Sequence, residues 1–194
     1  MKLHGYTSAQ GDVETRSAIA AFLNETHGTS FVADDFYITM GAAASLSIAF
    51  HALTTSNEDE YITIAPFFPE YKVFVEATGA SLKVVPADTE NFQIDFEKLE
   101  AMINENTKAI IINSPNNPSG AVYSSETIQK LANLLSSKEK EYGHPIFIIS
   151  DEPYREIAYD GVEVPFVTKY YANTLVCYSY SKSLSLPGER IGYI

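Results

Sequence analysis

The chain has 194 residues, of which 45% are hydrophobic and 20% are charged, and its formal net charge is −12. This composition is typical of a globular protein with a buried core and excludes a disordered, collagen-like or coiled-coil chain. The acidic charge argues against nucleic acid and anionic membranes as partners, because both attract basic surfaces. A single cysteine excludes an internal disulfide and a cysteine-rich zinc site, and no apolar run reaches the roughly 18 residues of a membrane span. We therefore expect a soluble, cytoplasmic protein.

Helical and strand-like patterns alternate along the chain. The first amphipathic helix is predicted over 13–24, with Asp12 as its N-cap. Continuous apolar runs, typical of strands covered on both faces, then predict strands at 36–40, 61–65, 82–85, 109–113, 146–150 and 174–178. Further helices are predicted at 45–53, 70–78, 95–104 and 125–135. Another strand-like run begins at 190–194 and the chain stops inside it, so we expect a partial chain.

This alternation predicts a mainly parallel sheet with helices on both faces. Ligands of such sheets bind beyond the carboxyl ends of the strands. The loops that directly follow the predicted strands are therefore where the sequence predicts a functional site.

Three of these loops carry groups that suit an anion or a planar ring. The small residues 41–45 lead into a helix whose free amides can bind an anion, although an ordinary strand–helix turn would look alike. Phe68 lies between two prolines and can offer its face to a ring or pack in the core. The loop 114–120 is rigid, and its Asn117 can donate to a ligand oxygen or belong to a plain turn.

The last two loops carry charged groups. Asp151 follows a buried strand and needs a cation or several donors there, unless it caps a helix, and Tyr154 can reach the same ligand. Lys182 can act as a nucleophile and Arg190 can bind a phosphate, or both can be ordinary surface residues. Together the five loops fit a planar, phosphorylated, cationic heterocycle that forms an imine with a lysine. Pyridoxal phosphate matches that description.

The motifs in these loops resemble those of fold-type I pyridoxal-phosphate-dependent aminotransferases of class I/II. The segment SYSKSLSLPGER resembles the family's cofactor-lysine segment, including the spacing from Lys182 to Arg190. The motifs GAAAS, NSPNNPSG and SDEPY occur in the family's order, and GYTSAQGDVETRSAIAAFL resembles the segment before the first strand. The resemblance implies the family's large domain, a three-layer α/β/α fold. Its seven-stranded sheet would be mostly parallel, with the run at 190–194 as the one antiparallel strand.

The resemblance also implies a role for each matching residue. Lys182 would form the imine and shuttle a proton, Asp151 would keep the pyridinium nitrogen protonated, and Asn117 and Tyr154 would hydrogen-bond the phenolic oxygen. The cofactor's phosphate and ring would be held by Ala42, Ala43, Ser179, Arg190 and Phe68. Tyr6 resembles the tyrosine that reaches the phosphate of the neighbouring subunit, which implies a homodimer.

Family members are much longer than this chain. We expect residues 1–194 to be the large domain without the N-terminal arm and the small C-terminal domain, whose arginine binds the substrate carboxylate. The implied reaction transfers an amino group between an amino acid and a 2-oxo acid, and we expect this chain alone to be inactive. A pyridoxal-phosphate-dependent C–S lyase of the same fold and a non-catalytic cofactor-binding module or remnant are the alternatives.

Overall fold

The computed structural model describes residues 5–194, whose strands form one seven-stranded sheet. The strands are β1 (Ile38–Thr39), β2 (Glu60–Ile64), β3 (Ser81–Val85), β4 (Thr107–Asn113), β5 (Phe147–Asp151), β6 (Thr174–Ser179) and β7 (Gly192–Tyr193). They lie in the order β1-β7-β6-β5-β4-β2-β3. β7 is antiparallel to both of its neighbours, and the other pairs are parallel. The predicted sheet, with its antiparallel strand inside the run at 190–194, is confirmed.

Helices cover both faces of this sheet, which confirms the predicted three-layer α/β/α architecture. One face is covered by α1 (Val13–His27), α4 (Phe96–Met102) and α5 (Ser125–Tyr142). The other face is covered by α2 (Ala42–Leu53) and α3 (Glu70–Glu76). A single helical turn, α6 (Tyr180–Ser183), directly follows β6. Within residues 5–194, no helix has both the length and the apolarity needed to cross a membrane.

The two cores on either side of the sheet explain the continuous apolar runs. Successive side chains of a strand point to opposite faces, so a strand between two helical layers needs apolar residues at every position. In β4, Ile110 packs in the core that contains Leu131 of α5, and its neighbour Ile111 packs in the core that contains Phe50 of α2. All four side chains are buried, and the sheet is thereby fixed between its helical layers.

The carboxyl-terminal ends of two helices differ from the predicted ones, because polar last turns and capping glycines, rather than apolar spacing, set them. α1 continues to His27 instead of residue 24, and it ends where Gly28 adopts a left-handed backbone. α5 continues to Tyr142 instead of residue 135, because its polar last turns keep helix propensity until Gly143 caps them in the same way. Apolar periodicity alone ends both helices too early.

The starts of the helices follow their capping residues. The predicted N-cap Asp12 is confirmed, since its side chain accepts a hydrogen bond from the backbone N–H of Thr15 at 2.9 Å. α2 begins at Ala42 rather than residue 45, so that the small residues form its first turn. α3 and α4 are shorter than predicted, β1 has only two residues, and α6 is too short for a periodic pattern to predict.

Candidate active site

A cavity of about 360 Å³ opens at the carboxyl ends of the strands, where the sequence predicts a site. Nine of the ten predicted site residues line it, namely Ala42, Ala43, Phe68, Asn117, Asp151, Tyr154, Ser179, Lys182 and Arg190. The tenth, Tyr6, is fully exposed and does not line the cavity. Its role at a neighbouring subunit's phosphate stays a prediction.

One end of the cavity lies at the start of α2 and carries groups that suit an anion. The first-turn amides of Ala42 and Ala43 have no partners within the helix, as at every helix N-terminus. The guanidinium of Arg190 lies beside them and donates to the carbonyl oxygen of Met40 at 3.4 Å. This close approach requires glycine at position 41, because a Cβ on Gly41 would lie 2.9 Å from Nη2 of Arg190. Free amides and a guanidinium together favour a phosphate.

The lysine of the cavity is presented by α6. Ser179 caps this turn, since its Oγ accepts a hydrogen bond from the N–H of Ser181 at 3.2 Å. Lys182 is exposed, and its Nζ lies 5.8 Å from the centroid of the Tyr154 ring. The lysine and the tyrosine therefore face each other across a short gap, although they come from different strand ends.

Asp151 is the buried charge of the cavity. The hydroxyl of Tyr71 donates to its Oδ2 at 2.6 Å, whereas Oδ1 has no hydrogen-bond partner among the described residues. Burial raises the pKa of Asp151 to about 7; the hydrogen bond from Tyr71 opposes this rise and the charge of Glu152 adds to it. Burial also holds the pKa of Tyr71 well above its usual value, so that this tyrosine stays a donor. Asp151 thus has one acceptor oxygen free for a ligand.

Asn113 fixes two of the other groups. Its side-chain amide donates to the carbonyl oxygen of Asp151 at 2.8 Å, and its Oδ1 accepts from the backbone N–H of Asn117 at 2.6 Å. Because Asn113 is buried at the end of β4, it ties that strand's loop to the end of β5. The predicted Asn117 and Asp151 are therefore held together by the first residue of the motif NSPNNPSG, for which the sequence predicted no role of its own.

Sequence reasoning missed residues that line the cavity and residues that support it from behind. Ser181 lines it and directly precedes Lys182, so its position relative to the lysine was an available signal. Tyr71 carried no signal, because it lies on α3, far along the chain from the carboxylate that it contacts. Its ring also packs edge-on against Phe68, with the ring centroids 5.7 Å apart. Within the described part of the chain, no group of His, Cys, Asp and Glu side chains is placed to hold a metal ion.

The chain belongs to the aminotransferase class I and II family, whose model matches residues 1–194. It is similar to the crystal structure of an amino transferase from Eubacterium rectale, with a TM-score of 0.97 and 76% identity over 98% of this chain and 48% of that one. It is 33% identical to the aspartate aminotransferase of Thermotoga maritima, over 97% of this chain and 49% of the relative. The aspartate/prephenate aminotransferase of Thermus thermophilus is 31% identical, over 97% of this chain and 47% of the relative.

These comparisons confirm the family resemblance that the motifs indicated. They also show that the chain spans about half the length of the curated relatives that it matches.

Proposed function

We propose that residues 1–194 form the cofactor-binding large domain of a pyridoxal-phosphate-dependent aminotransferase. The reaction would transfer an amino group between an amino acid and a 2-oxo acid. The observation that carries this proposal is the buried Asp151, whose Oδ1 is unpartnered among the described residues in a cavity that also holds Lys182 and Arg190. Membership of the class I and II family supports it.

The residues of the cavity fit pyridoxal phosphate group by group. The amides at the start of α2, with Arg190 and Ser179, suit its phosphate. Oδ1 of Asp151 suits the protonated ring nitrogen, because a buried carboxylate with a raised pKa gains most from a cationic donor. Phe68 offers an aromatic face to the ring. Among the described residues no basic side chain lowers the pKa of Asp151, so a cationic ring would supply the missing compensation.

When bound, the cofactor would supply an aldehyde that takes up the amino group and a ring that accepts the electron pair of the substrate Cα–H bond. Asp151 would keep the ring nitrogen protonated, and the resulting cation would lower the pKa of Asp151 from about 7, so that the carboxylate is ionised. Tyr71 would fix the orientation of that carboxylate through its 2.6 Å hydrogen bond.

Lys182 would bind the cofactor covalently through Nζ. The same amine would hold and move the proton that is exchanged between the substrate and the cofactor. Asn117 and Tyr154 would donate to the phenolic oxygen. The exposure of Lys182 on a single helical turn suits this role, because the amine must reach both the substrate and the cofactor.

The proposal extends to the whole protein. We propose a cytoplasmic homodimer in which Tyr6 reaches the phosphate of the neighbouring subunit. We also propose that residues beyond 1–194 bind the substrate carboxylate, so that this chain alone binds the cofactor but does not turn over. The length of the relatives supports this division, since the chain covers about half of each.

A titration of the chain with pyridoxal phosphate tests the proposal. We expect a saturable visible absorption band that borohydride fixes covalently and that Lys182→Ala abolishes. Lys140→Ala is the matched control, because Lys140 is exposed near the end of α5 and does not line the cavity. A band of full height in Lys182→Ala would contradict the assignment.

A version of the protein with the length of its relatives tests the reaction itself. Transfer of the amino group should require a 2-oxo acid as acceptor. Release of ammonia and pyruvate without such an acceptor would identify a lyase instead.

A further inference from the structure

A second polar cluster lies behind the cavity, on the side of the sheet that α1 covers. We call it the rear cluster, and its members are Glu152, Arg155, Glu156, Tyr178 and Ser183. None of these side chains lines the cavity. The mechanism proposed above uses none of them, although two are buried charges.

The rear cluster is one continuous chain of hydrogen bonds. Arg155 donates from Nη1 to Oε2 of Glu152 at 2.7 Å and from Nε to Oε1 of Glu156 at 3.2 Å. The hydroxyl of Tyr178 donates to Oε2 of Glu156 at 2.7 Å and lies 2.7 Å from Oγ of Ser183. The chain therefore runs from the end of β5 to α6.

Two members of this chain are the sequence neighbours of the two groups that face each other in the cavity. Arg155 directly follows Tyr154, and Ser183 directly follows Lys182. α6 is a single turn, and a turn of that length is unstable unless other parts of the fold hold it. Hydrogen-bonded networks in a buried environment rigidify the segments that they join.

We propose that Tyr178 is a positioning residue that holds Lys182 at its place opposite Tyr154. Its hydroxyl joins Glu156, beside the tyrosine segment, to Ser183, beside the lysine. The functional consequence rests on the proposed role of Lys182 as the cofactor lysine. The positioning itself is a property of the chain and is measurable without cofactor.

Tyr178→Phe is the variant that tests this role. It removes the hydroxyl and keeps the ring. The ring stacks on Tyr193 with the centroids 4.9 Å apart, and its centroid lies 4.6 Å from Cζ of Arg155. Tyr171→Phe is the matched control, because it removes another buried tyrosine hydroxyl, which donates to the carbonyl oxygen of Ile146 at 2.7 Å. That bond lies just before β5 begins, at the end of the strand away from the cavity.

Amide hydrogen exchange of the cofactor-free chain is the first measurement. We expect Tyr178→Phe to speed exchange of residues 180–184 about tenfold, because one strong hydrogen bond that holds α6 is lost. Ser183→Ala should act similarly, and the double variant should add little to either single change. Tyr171→Phe should leave α6 unchanged. Equal exchange of α6 in Tyr178→Phe and the wild-type chain would overturn the proposal.

The pH dependence of the visible band with pyridoxal phosphate is the second measurement. We expect its midpoint to shift by about half a pH unit in Tyr178→Phe and not in Tyr171→Phe, because the lysine moves relative to Tyr154. Faster exchange of α6 with an unmoved midpoint would contradict a role in positioning the lysine. If the wild-type chain gives no band that requires Lys182, the proposed function fails, and the exchange result alone decides the positioning.

Discussion

Each side of β5 has a buried carboxylate and an arginine, but only on one side do the two form an ion pair. On the rear side, Glu152 and Arg155 pair directly at 2.7 Å, and their side chains are 2% and 4% exposed. On the cavity side, Asp151 has an unpartnered oxygen among the described residues, and Arg190 donates only to backbone carbonyls there. Two carboxylates that are adjacent in sequence therefore differ in whether a cation of the described chain pairs with them.

Under the proposed function, this difference separates a carboxylate that stabilises the fold from one that binds a ligand. Burial raises the pKa of Glu152, but the charge of Arg155 opposes the rise and Ser150 donates a further hydrogen bond. Within residues 5–194, the hydrogen bond from Tyr71 is the one contact that opposes the effect of burial on the pKa of Asp151. Buried carboxylates with such a raised pKa are common at functional sites, where a ligand can compensate the cost of burial. The cavity side is thus the side whose buried carboxylate lacks a full set of partners among the described residues.

Breaking the rear pair should have the largest effect on stability. In Arg155→Met the carboxylate of Glu152 stays buried without its cation, and we expect a loss of about 3–5 kcal/mol in the free energy of unfolding. Urea denaturation at neutral pH measures it. The double variant with Glu152→Gln should recover part of the loss, because the stranded charge is then gone.

Arg16→Met is the matched control for this experiment. Arg16 is equally buried, but it bonds to the carbonyl oxygen of Ala33 at 2.6 Å and to the exposed Asp34, so that no buried carboxylate is stranded. We expect a loss of about 1–2 kcal/mol. Equal losses in the two variants would mean that the rear pair is no more than ordinary packing.

On the cavity side, the buried Asp151 should make the free energy of unfolding depend on pH. The pKa of Asp151 is about 7 in the folded chain against 3.8 for its ordinary value, so the folded state holds the proton longer than the unfolded state. The stability that this group contributes is fully present below pH 3.8 and is lost as the pH rises through about 7. The loss is about 4 kcal/mol at most in the cofactor-free chain.

Asp151→Asn should remove this part of the pH dependence, since its amide cannot ionise. Urea denaturation at pH 5 and pH 8 measures the slope in both chains. Asp95→Asn is the control: hydrogen bonds from Lys98 lower the pKa of Asp95, so its contribution is lost only as the pH falls through its folded pKa. An unchanged slope in Asp151→Asn would show that this carboxylate carries no burial cost.

The sheet was predictable because apolar runs and their spacing encode it. The strand β4 lies within two residues of its predicted range, and the antiparallel β7 lies inside the predicted run. Parallel strands then bring their following loops to one edge, which is why residues as distant as Phe68 and Arg190 line one cavity.

The unpredicted features share one physical reason, which is that they depend on contacts between distant segments. Tyr71 bonds to Asp151 through a hydroxyl on α3, and nothing in its local pattern differs from a core tyrosine. Arg155 is buried although arginines are mostly exposed, and besides its local pair with Glu152 it donates to the hydroxyl of Tyr193, which lies 38 residues further along the chain. Local sequence patterns carry no information on such pairs.

The smallest expected effect concerns Arg190, the arginine of the cavity side. Gly41 has φ +86°, and a Cβ there would meet the guanidinium of Arg190, so Gly41→Ala should displace that arginine from the start of α2. Gly79→Ala is the matched control, because Gly79 has φ +88° and its Cβ would meet nothing closer than 3.9 Å. Both variants should lose about 1 kcal/mol through backbone strain. Only Gly41→Ala should weaken binding of pyridoxal phosphate, by about tenfold, because it alone removes a charged hydrogen-bond donor from the phosphate. Equal cofactor affinity in the two variants would mean that Arg190 belongs to the fold, as Arg155 does, and would remove the difference between the two sides of β5.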